Sequence, residues 1–136
     1  QLMRKFNPDI FGAYDIRGKY PVEINESIIS QIISSFIPKF KVQSSKFKVI
    51  IGRDARLSSP KLYRATIKQF VANNLQLTII KAGLITTPML SFLVNHFNAD
   101  LGIMITASHN PKEYNGLKIV GKNAVPISGK EILKLI

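Results

Sequence analysis

Apolar residues recur along the chain with two different spacings, and these predict helices and strands in alternation. Where isoleucine, leucine or phenylalanine returns every three or four positions, one face of a helix is apolar. Two helix starts are marked by a capping residue before proline, Ser59-Pro60 and Thr87-Pro88, and SGKE from Ser128 has capping-box spacing. Helices are therefore predicted over residues 25–37, 59–73, 87–97 and 128–136.

Continuous apolar runs rich in β-branched residues lie between the helices. They are FKVIIG (47–52), LQLTII (75–80), LGIMIT (101–106) and GLKIV (116–120), and each is typical of a buried strand. Asn115-Gly116 is typical of a tight turn at the start of the fourth run. Strands that alternate with helices predict an α/β fold, a three-layer α/β/α domain with a mostly parallel, mixed sheet of about four strands.

This architecture also predicts where a site should lie. In such sheets, ligands bind beyond the carboxyl ends of the strands. Three polar loops follow predicted strands: GRDARLSSP (52–60), KAGLITTP (81–88) and TASHNP (106–111). Candidate functional residues are therefore sought first in these three loops.

The composition is that of a folded domain with a strong positive charge. The 136 residues fit one domain, with 46% apolar and 20% charged residues and no cysteine. No apolar run approaches the ~18–20 residues that span a bilayer, and the first residues lack an apolar signal-peptide core, so we expect a soluble, cytoplasmic protein. The net charge of +11 would attract anions, or it reflects lysines spread over solvated faces.

A basic module that binds nucleic acid is the second hypothesis that this charge raises. Such a module needs a dense basic face with exposed aromatic side chains. The lysines here are dispersed, and aromatic residues fall at predicted core positions: Phe36, Phe47, Phe70 and Phe97. We therefore predict neither a nucleic-acid nor a membrane partner.

The first polar loop, GRDARLSSP, contains Arg53, Asp54 and Arg56. It is interpreted mainly as an arginine–aspartate ion pair that orients the loop. The alternative is a contact to phosphate, for which the forked guanidinium is well suited. The nucleotide-phosphate fingerprints G-x-G-x-x-G and G-x-x-x-x-G-K-[ST] are absent from the sequence.

The third loop combines a hydroxyl, an imidazole and an amide in Ser108, His109 and Asn110, and Lys118 follows shortly after. A serine-hydrolase site is not favoured, because adjacent residues on an extended chain point apart and the G-x-S-x-G elbow is missing. A histidine metal site is not favoured either, since the other histidine, His96, lies on a predicted helix. The interpretation that these residues support is a serine that carries a phosphoryl group in a cationic surrounding.

Three motifs in order resemble those of the α-D-phosphohexomutases: FGAYDIRG (11–18), GRDARLSSP, and TASHNP with YNGLK (114–118) after it. The resemblance covers nearly the whole chain and implies that residues 1–136 form the first of four domains. The last predicted helix ends without a C-cap glycine, which also suggests a domain excised from a longer protein. The motifs are more similar to the phosphomannomutase/phosphoglucomutase branch, with a phosphoglucosamine mutase domain or a non-catalytic paralogue as alternatives.

The resemblance implies catalytic roles for Ser108, His109 and Lys118. Ser108 would be the phosphoserine that donates a phosphoryl group to a hexose phosphate and takes one back from a hexose bisphosphate. A phosphoryl oxygen on Ser108 would help to bind Mg²⁺, the implied cofactor. His109 and Lys118 would line the transfer site, and one of them would shuttle the hydroxyl proton.

The resemblance implies substrate or phosphate contacts as well, at Tyr14, Arg17, Thr106 and Asn110. Tyr14 and Arg17 would face the transfer centre, while Thr106 and Asn110 would hold the loop. The family's other Mg²⁺ ligands form an Asp-Gly-Asp-x-Asp loop in its second domain, and this sequence lacks that motif. The chain by itself is therefore expected to be nearly inactive and to depend on the remaining domains of the same enzyme.

Overall fold

Helices and strands alternate in this computed structural model, which describes residues 6–40, 47–73 and 77–136. The main elements are β1 (Ile16–Lys19), α1 (Glu26–Phe36), β2 (Phe47–Arg53), α2 (Ser59–Ala72), β3 (Leu77–Leu84), α3 (Thr87–His96), β4 (Leu101–Ile105), β5 (Tyr114–Gly121), β6 (Pro126–Ile127) and α4 (Gly129–Leu135). The four predicted helices and the four predicted strands are all present. Two residues of the predicted second strand, Leu75 and Gln76, lie outside the described residues.

The helices begin at local capping signals, two of them one residue earlier than predicted. The capping box of α4 is confirmed, since the Glu131 N–H donates to Ser128 Oγ at 3.1 Å and the Ser128 N–H donates to Glu131 Oε1 at 2.9 Å. The N-cap of α3 is Thr86, not Thr87, and its hydroxyl accepts from the Met89 N–H. The N-cap of α2 is Ser58, not Ser59; its side chain makes no capping hydrogen bond, and the Ser59 hydroxyl donates to Asp54 Oδ1.

The sheet has six strands in the order β1-β5-β4-β2-β3, with β6 paired to β5. Strand β2 is parallel to both of its neighbours, β3 and β4, and β5 is antiparallel to β4, β1 and β6. The two strands beyond the predicted four, β1 and β6, are short. Their four and two residues carry too little apolar pattern to identify them as strands.

Two apolar cores cover the two faces of the sheet. Alternate residues of each strand point to opposite faces, so Val49 and Ile51 pack towards α1 and α2, while Ile50 packs towards α3. This arrangement confirms the predicted three-layer α/β/α class. The predicted core position of Phe97 is wrong, because the residue lies just beyond the end of α3 and is 38% exposed.

Asn115-Gly116 does not form the predicted turn. Both residues lie inside β5, where Gly116 is opposite Arg17 of β1. A Cβ atom at Gly116 would overlap the carbonyl oxygen of Ile16 and come within 2.8 Å of Arg17 Cα. The glycine is therefore required by the close approach of β1.

Within the described ranges, none of the helices has both the length and the apolar character needed to cross a membrane.

Candidate functional site

The loop after β4 presents Ser108 at the carboxyl end of the parallel strands, where the sequence predicted a site. Ser108 and His109 are exposed, whereas Thr106 and Ala107 before them are buried. Ser108 has a φ of 55°, in the left-handed region that is uncommon for residues other than glycine. The serine is therefore exposed, and its uncommon backbone conformation must be stabilised by contacts with other residues.

Both backbone groups of Ser108 have partners that supply this support. The Ser108 N–H donates to Thr106 Oγ1 at 3.0 Å, and the Ser108 carbonyl accepts from Arg56 Nη2 at 2.8 Å. The side-chain amide of Asn110 closes the turn by donating to the Ala107 carbonyl at 2.8 Å. Thr106 and Asn110 therefore hold the loop, and their side chains are directed at its backbone.

The Arg56 guanidinium is the principal contact between this loop and the rest of the protein. It donates to four backbone carbonyls, those of Ser108 (2.8 Å), Asn110 (2.8 Å), Pro111 (2.6 Å) and Tyr114 (3.1 Å). Its Nε donates to Asp54 Oδ2 at 3.1 Å, which is the arginine–aspartate ion pair expected in GRDARLSSP. The sequence did not reveal the four carbonyl contacts, since every residue offers a carbonyl.

A polar network beneath Arg56 connects it to β5. The Asp54 carboxylate also accepts hydrogen bonds from the Arg56 N–H and from the Ser59 hydroxyl. The fully buried Asn115 donates to Ser58 Oγ at 2.7 Å and to Ser59 Oγ at 2.9 Å. Asn115 and Ser59 thereby tie the start of α2 to the strand that follows the Ser108 loop.

The sheet register brings three of the predicted residues to the same region. The Thr106 N–H donates to the Gly116 carbonyl at 3.0 Å, and Gly116 is the register partner of Arg17. Lys118 lies two residues further along β5, opposite Met104, so it is on the same face of the sheet as Gly116. Thr106, Arg17 and Lys118 therefore come from three adjacent strands at the base of the Ser108 loop.

The cationic side chains in this region are accessible to solvent. Arg17 is 46% exposed, and its Nε lies 3.7 Å from a carboxylate oxygen of the buried Asp15. Lys118 is partly buried, and no ion pair involves it among the described residues. Arg17 on β1 and Lys118 on β5 place two cations on the part of the sheet from which the serine loop leaves, and cations are suited to bind an anion such as phosphate.

Tyr14 is less closely associated with the site. It is 75% exposed on a turn closed by the Gly12 N–H, which donates to the Asp15 carbonyl at 2.8 Å. This turn packs against the start of α4, where Lys130 N–H donates to the Gly12 carbonyl. In the described ranges, Tyr14 makes no side-chain hydrogen bond to the Ser108 loop, and the side chain of His109, which is part of that loop, makes none within it.

The described residues do not supply a metal cage. No group of three or more histidine or acidic side chains is close enough together to hold a metal ion in these parts of the chain. Mg²⁺ prefers several oxygen ligands in an octahedral arrangement. One hydroxyl or phosphoryl oxygen at Ser108 does not fit that requirement by itself.

Comparison with known proteins identifies the family. Residues 8–136 match the family described as "Phosphoglucomutase/phosphomannomutase, alpha/beta/alpha domain I". A protein named "Phosphohexose mutases" from Xanthomonas campestris pv. campestris (strain B100) is 40% identical over 118 residues, which are 87% of this chain and 25% of that protein. A phosphomannomutase from Klebsiella pneumoniae is 39% identical over 119 residues, covering 88% of this chain and 72% of that protein.

A solved structure from the same family shares the fold. The crystal structure of a phosphoglucomutase/phosphomannomutase family protein from Burkholderia thailandensis superposes with a TM-score of 0.80 at 29% identity, over 96% of this chain and 29% of that one. The chain spans about a quarter of the length of the Xanthomonas and Escherichia coli relatives. The chain therefore belongs to the phosphoglucomutase/phosphomannomutase family, of which it contains the α/β/α domain I.

Proposed function

We propose that this chain is the phosphoserine-carrying domain of a hexose-phosphate mutase, which interconverts the 1- and 6-phosphates of mannose or glucose. The observation that carries the proposal is the exposed Ser108, held in a left-handed conformation at the carboxyl end of the sheet. Strained backbone at an exposed nucleophilic side chain is typical of functional sites. Family membership supports a sugar-phosphate substrate.

The proposed reaction has two phosphoryl transfers. In the first, a hydroxyl oxygen of the hexose phosphate attacks the phosphorus on Ser108, the bond between phosphorus and Ser108 Oγ breaks, and a hexose bisphosphate forms. In the second, Ser108 Oγ attacks the other phosphate of the bisphosphate, and the bond from that phosphorus to the sugar oxygen breaks. The serine is then phosphorylated again, and the product carries its phosphate at the other position.

The protein would contribute mainly position and positive charge. Phosphoryl transfer is catalysed chiefly by alignment and by cations that offset the charge developing in the transition state. A phosphoserine carries about −1.5 to −2 charges, which Arg17 and Lys118 would partly neutralise. His109, or Lys118 only in its neutral form, would take the proton from the attacking hydroxyl and pass it to the departing oxygen, and Tyr14 would contact the substrate.

Mg²⁺ is part of the proposal as a Lewis acid that neutralises phosphate charge when bound. This chain offers it at most the phosphoryl oxygen on Ser108, so its other ligands would have to come from outside the described residues. Since the chain matches a quarter of the Xanthomonas relative, sugar recognition would also depend on further domains. We therefore expect residues 1–136 alone to have almost no mutase activity.

The test is intact-mass analysis with peptide mapping of the full-length native protein, together with turnover of mannose, glucose and glucosamine phosphates. We expect one phosphoryl group on Ser108 and a loss of at least about 10³-fold in turnover for Ser108→Ala, because no carrier oxygen remains. Ser34→Ala is the matched control, since Ser34 is exposed on α1. Wild-type turnover in Ser108→Ala would overturn the proposal, and preferred turnover of glucosamine phosphate would assign the protein to the alternative branch.

A further inference from the structure

We propose that Arg56 is a positioning residue for the phosphoryl carrier, and that it acts through the backbone of the loop from Ser108 to Tyr114. This inference rests on the proposed function of Ser108. Arg56 lies 52 residues before Ser108 in the sequence, and its guanidinium contacts four carbonyls of the loop. The four contacts are with backbone oxygens, so they would set the position of Ser108 and do not depend on its side chain.

All five N–H groups of the Arg56 guanidinium are used. The single hydrogen on Nε donates to Asp54, Nη1 donates to the carbonyls of Pro111 and Tyr114, and Nη2 donates to those of Ser108 and Asn110. No donor is left for a substrate phosphate. The interpretation of Arg56 as a direct phosphate ligand is therefore not supported, and a role through the loop takes its place.

The backbone of Ser108 explains why such a contact is needed. A non-glycine residue in a sparsely populated backbone region is strained and persists where the surroundings determine its conformation. Thr106 holds the Ser108 N–H and Arg56 holds the Ser108 carbonyl, so both adjoining peptide groups are restrained. Removal of the guanidinium would release the restraint on the carbonyl side.

Lysine cannot replace this arginine. Lysine has a similar length and the same charge, but its three donors radiate from one nitrogen and do not form a planar fork. At least two of the five acceptors would then lose their partner. The Arg56 and Asp54 side chains are only 13% and 23% exposed, so water would replace the lost hydrogen bonds incompletely.

The experiment uses Arg56→Lys in the full-length native protein, with Arg64→Lys on the exposed side of α2 as the matched control. We expect kcat per folded molecule to fall by about 100-fold, since a shift of about 1 Å in a reacting group has an effect of that size. The KM for the hexose phosphate should change by less than about threefold, because Arg56 has no free donor for the substrate. A purely structural role would lower the melting temperature and leave kcat per folded molecule unchanged.

Hydrogen–deuterium exchange gives a readout that does not depend on turnover. In Arg56→Lys, the amides of residues 108–110 and 112–114 should exchange faster than in the wild type, while β2 and β4 keep their protection. Unchanged protection of the loop would overturn the positioning role of Arg56, whether or not Ser108 carries the phosphoryl group. Wild-type kcat in Arg56→Lys, with Ser108→Ala inactive, would overturn the positioning role and leave the proposed function standing.

Asp54→Asn is the second variant in case Arg56→Lys does not fold. It keeps the size of the side chain and removes the charge that orients Arg56 Nε. We expect a fall in kcat of about 5–10-fold with an unchanged KM, and a wild-type kcat would count against the proposal. If Ser108→Ala retains full turnover, the carrier function itself fails, and the exchange measurement still decides whether Arg56 holds the loop.

Discussion

The close approach of β1 to β5 at Gly116 predicts a large effect from a single methyl group. In Gly116→Ala the new Cβ would overlap the Ile16 carbonyl oxygen and lie within 2.8 Å of Arg17 Cα. Both of these are backbone atoms, so no side-chain rotation relieves the overlap. The variant must push β1 away from β5 or distort both strands.

The size of the effect follows from what the displacement removes. Overpacking of a close contact costs about 1–3 kcal/mol, and two strand hydrogen bonds lost near the overlap add about 1 kcal/mol each. Alanine recovers about 0.5 kcal/mol because glycine is unfavourable inside a strand. The free energy of unfolding should therefore fall by about 2.5–4.5 kcal/mol. With a urea dependence of about 1.5 kcal/mol per molar, the midpoint should fall by about 1.7–3 M.

The measurement is urea unfolding of residues 1–136 followed by far-ultraviolet circular dichroism, since the chain has no tryptophan. Gly121→Ala is the matched control: it lies in the same strand, and its new Cβ would meet the nearest atom, Ile127 Cδ1, at 3.4 Å. We expect its midpoint to stay within about 0.5 M of the wild type. Equal midpoints for the two variants would refute the close approach of β1 and, with it, the placement of Arg17 beside the loop.

Two further predictions concern Ser108 and Tyr20. Because Ser108 is in the left-handed region, Ser108→Gly should be about 1 kcal/mol more stable than Ser108→Ala in urea unfolding, and equal stability would contradict that conformation. The hydrogen bond that Tyr20 donates to Glu26 (2.8 Å) raises the pKa of Tyr20 above its usual 10.0, with smaller effects from burial and from the Glu26 charge. The stability that protonated Tyr20 contributes is therefore present below pH 10 and is lost as pH rises through the raised pKa. Glu26→Ala removes both the acceptor and the charge and should lower that pKa in an absorbance titration at 295 nm, with Tyr20→Phe identifying the step. An unchanged titration would show that Glu26 is not the cause.

The features that the sequence determined are local ones. The capping box at Ser128 and the apolar runs that became β2 and β4 depend on residues within a few positions of one another. The α/β class and the position of Ser108 after a buried strand follow from this local order. The first residues of α2 and α3 were less well determined by the sequence. Each helix start offers two adjacent residues that are both suitable N-caps, Ser58 and Ser59 for α2 and Thr86 and Thr87 for α3.

The tertiary structure decided how distant segments meet. Asn115-Gly116 is a sequence typical of a turn, but Gly116 lies inside a strand. The reason is that β1, about a hundred residues earlier in the chain, pairs with β5 at this position. Arg56 contacts backbone carbonyls 52–58 residues further along the chain. Every residue has a backbone carbonyl, so the sequence does not indicate which carbonyls an arginine will contact. The sequence thus indicated which residue is presented at the site, and the fold determined which residues hold it there.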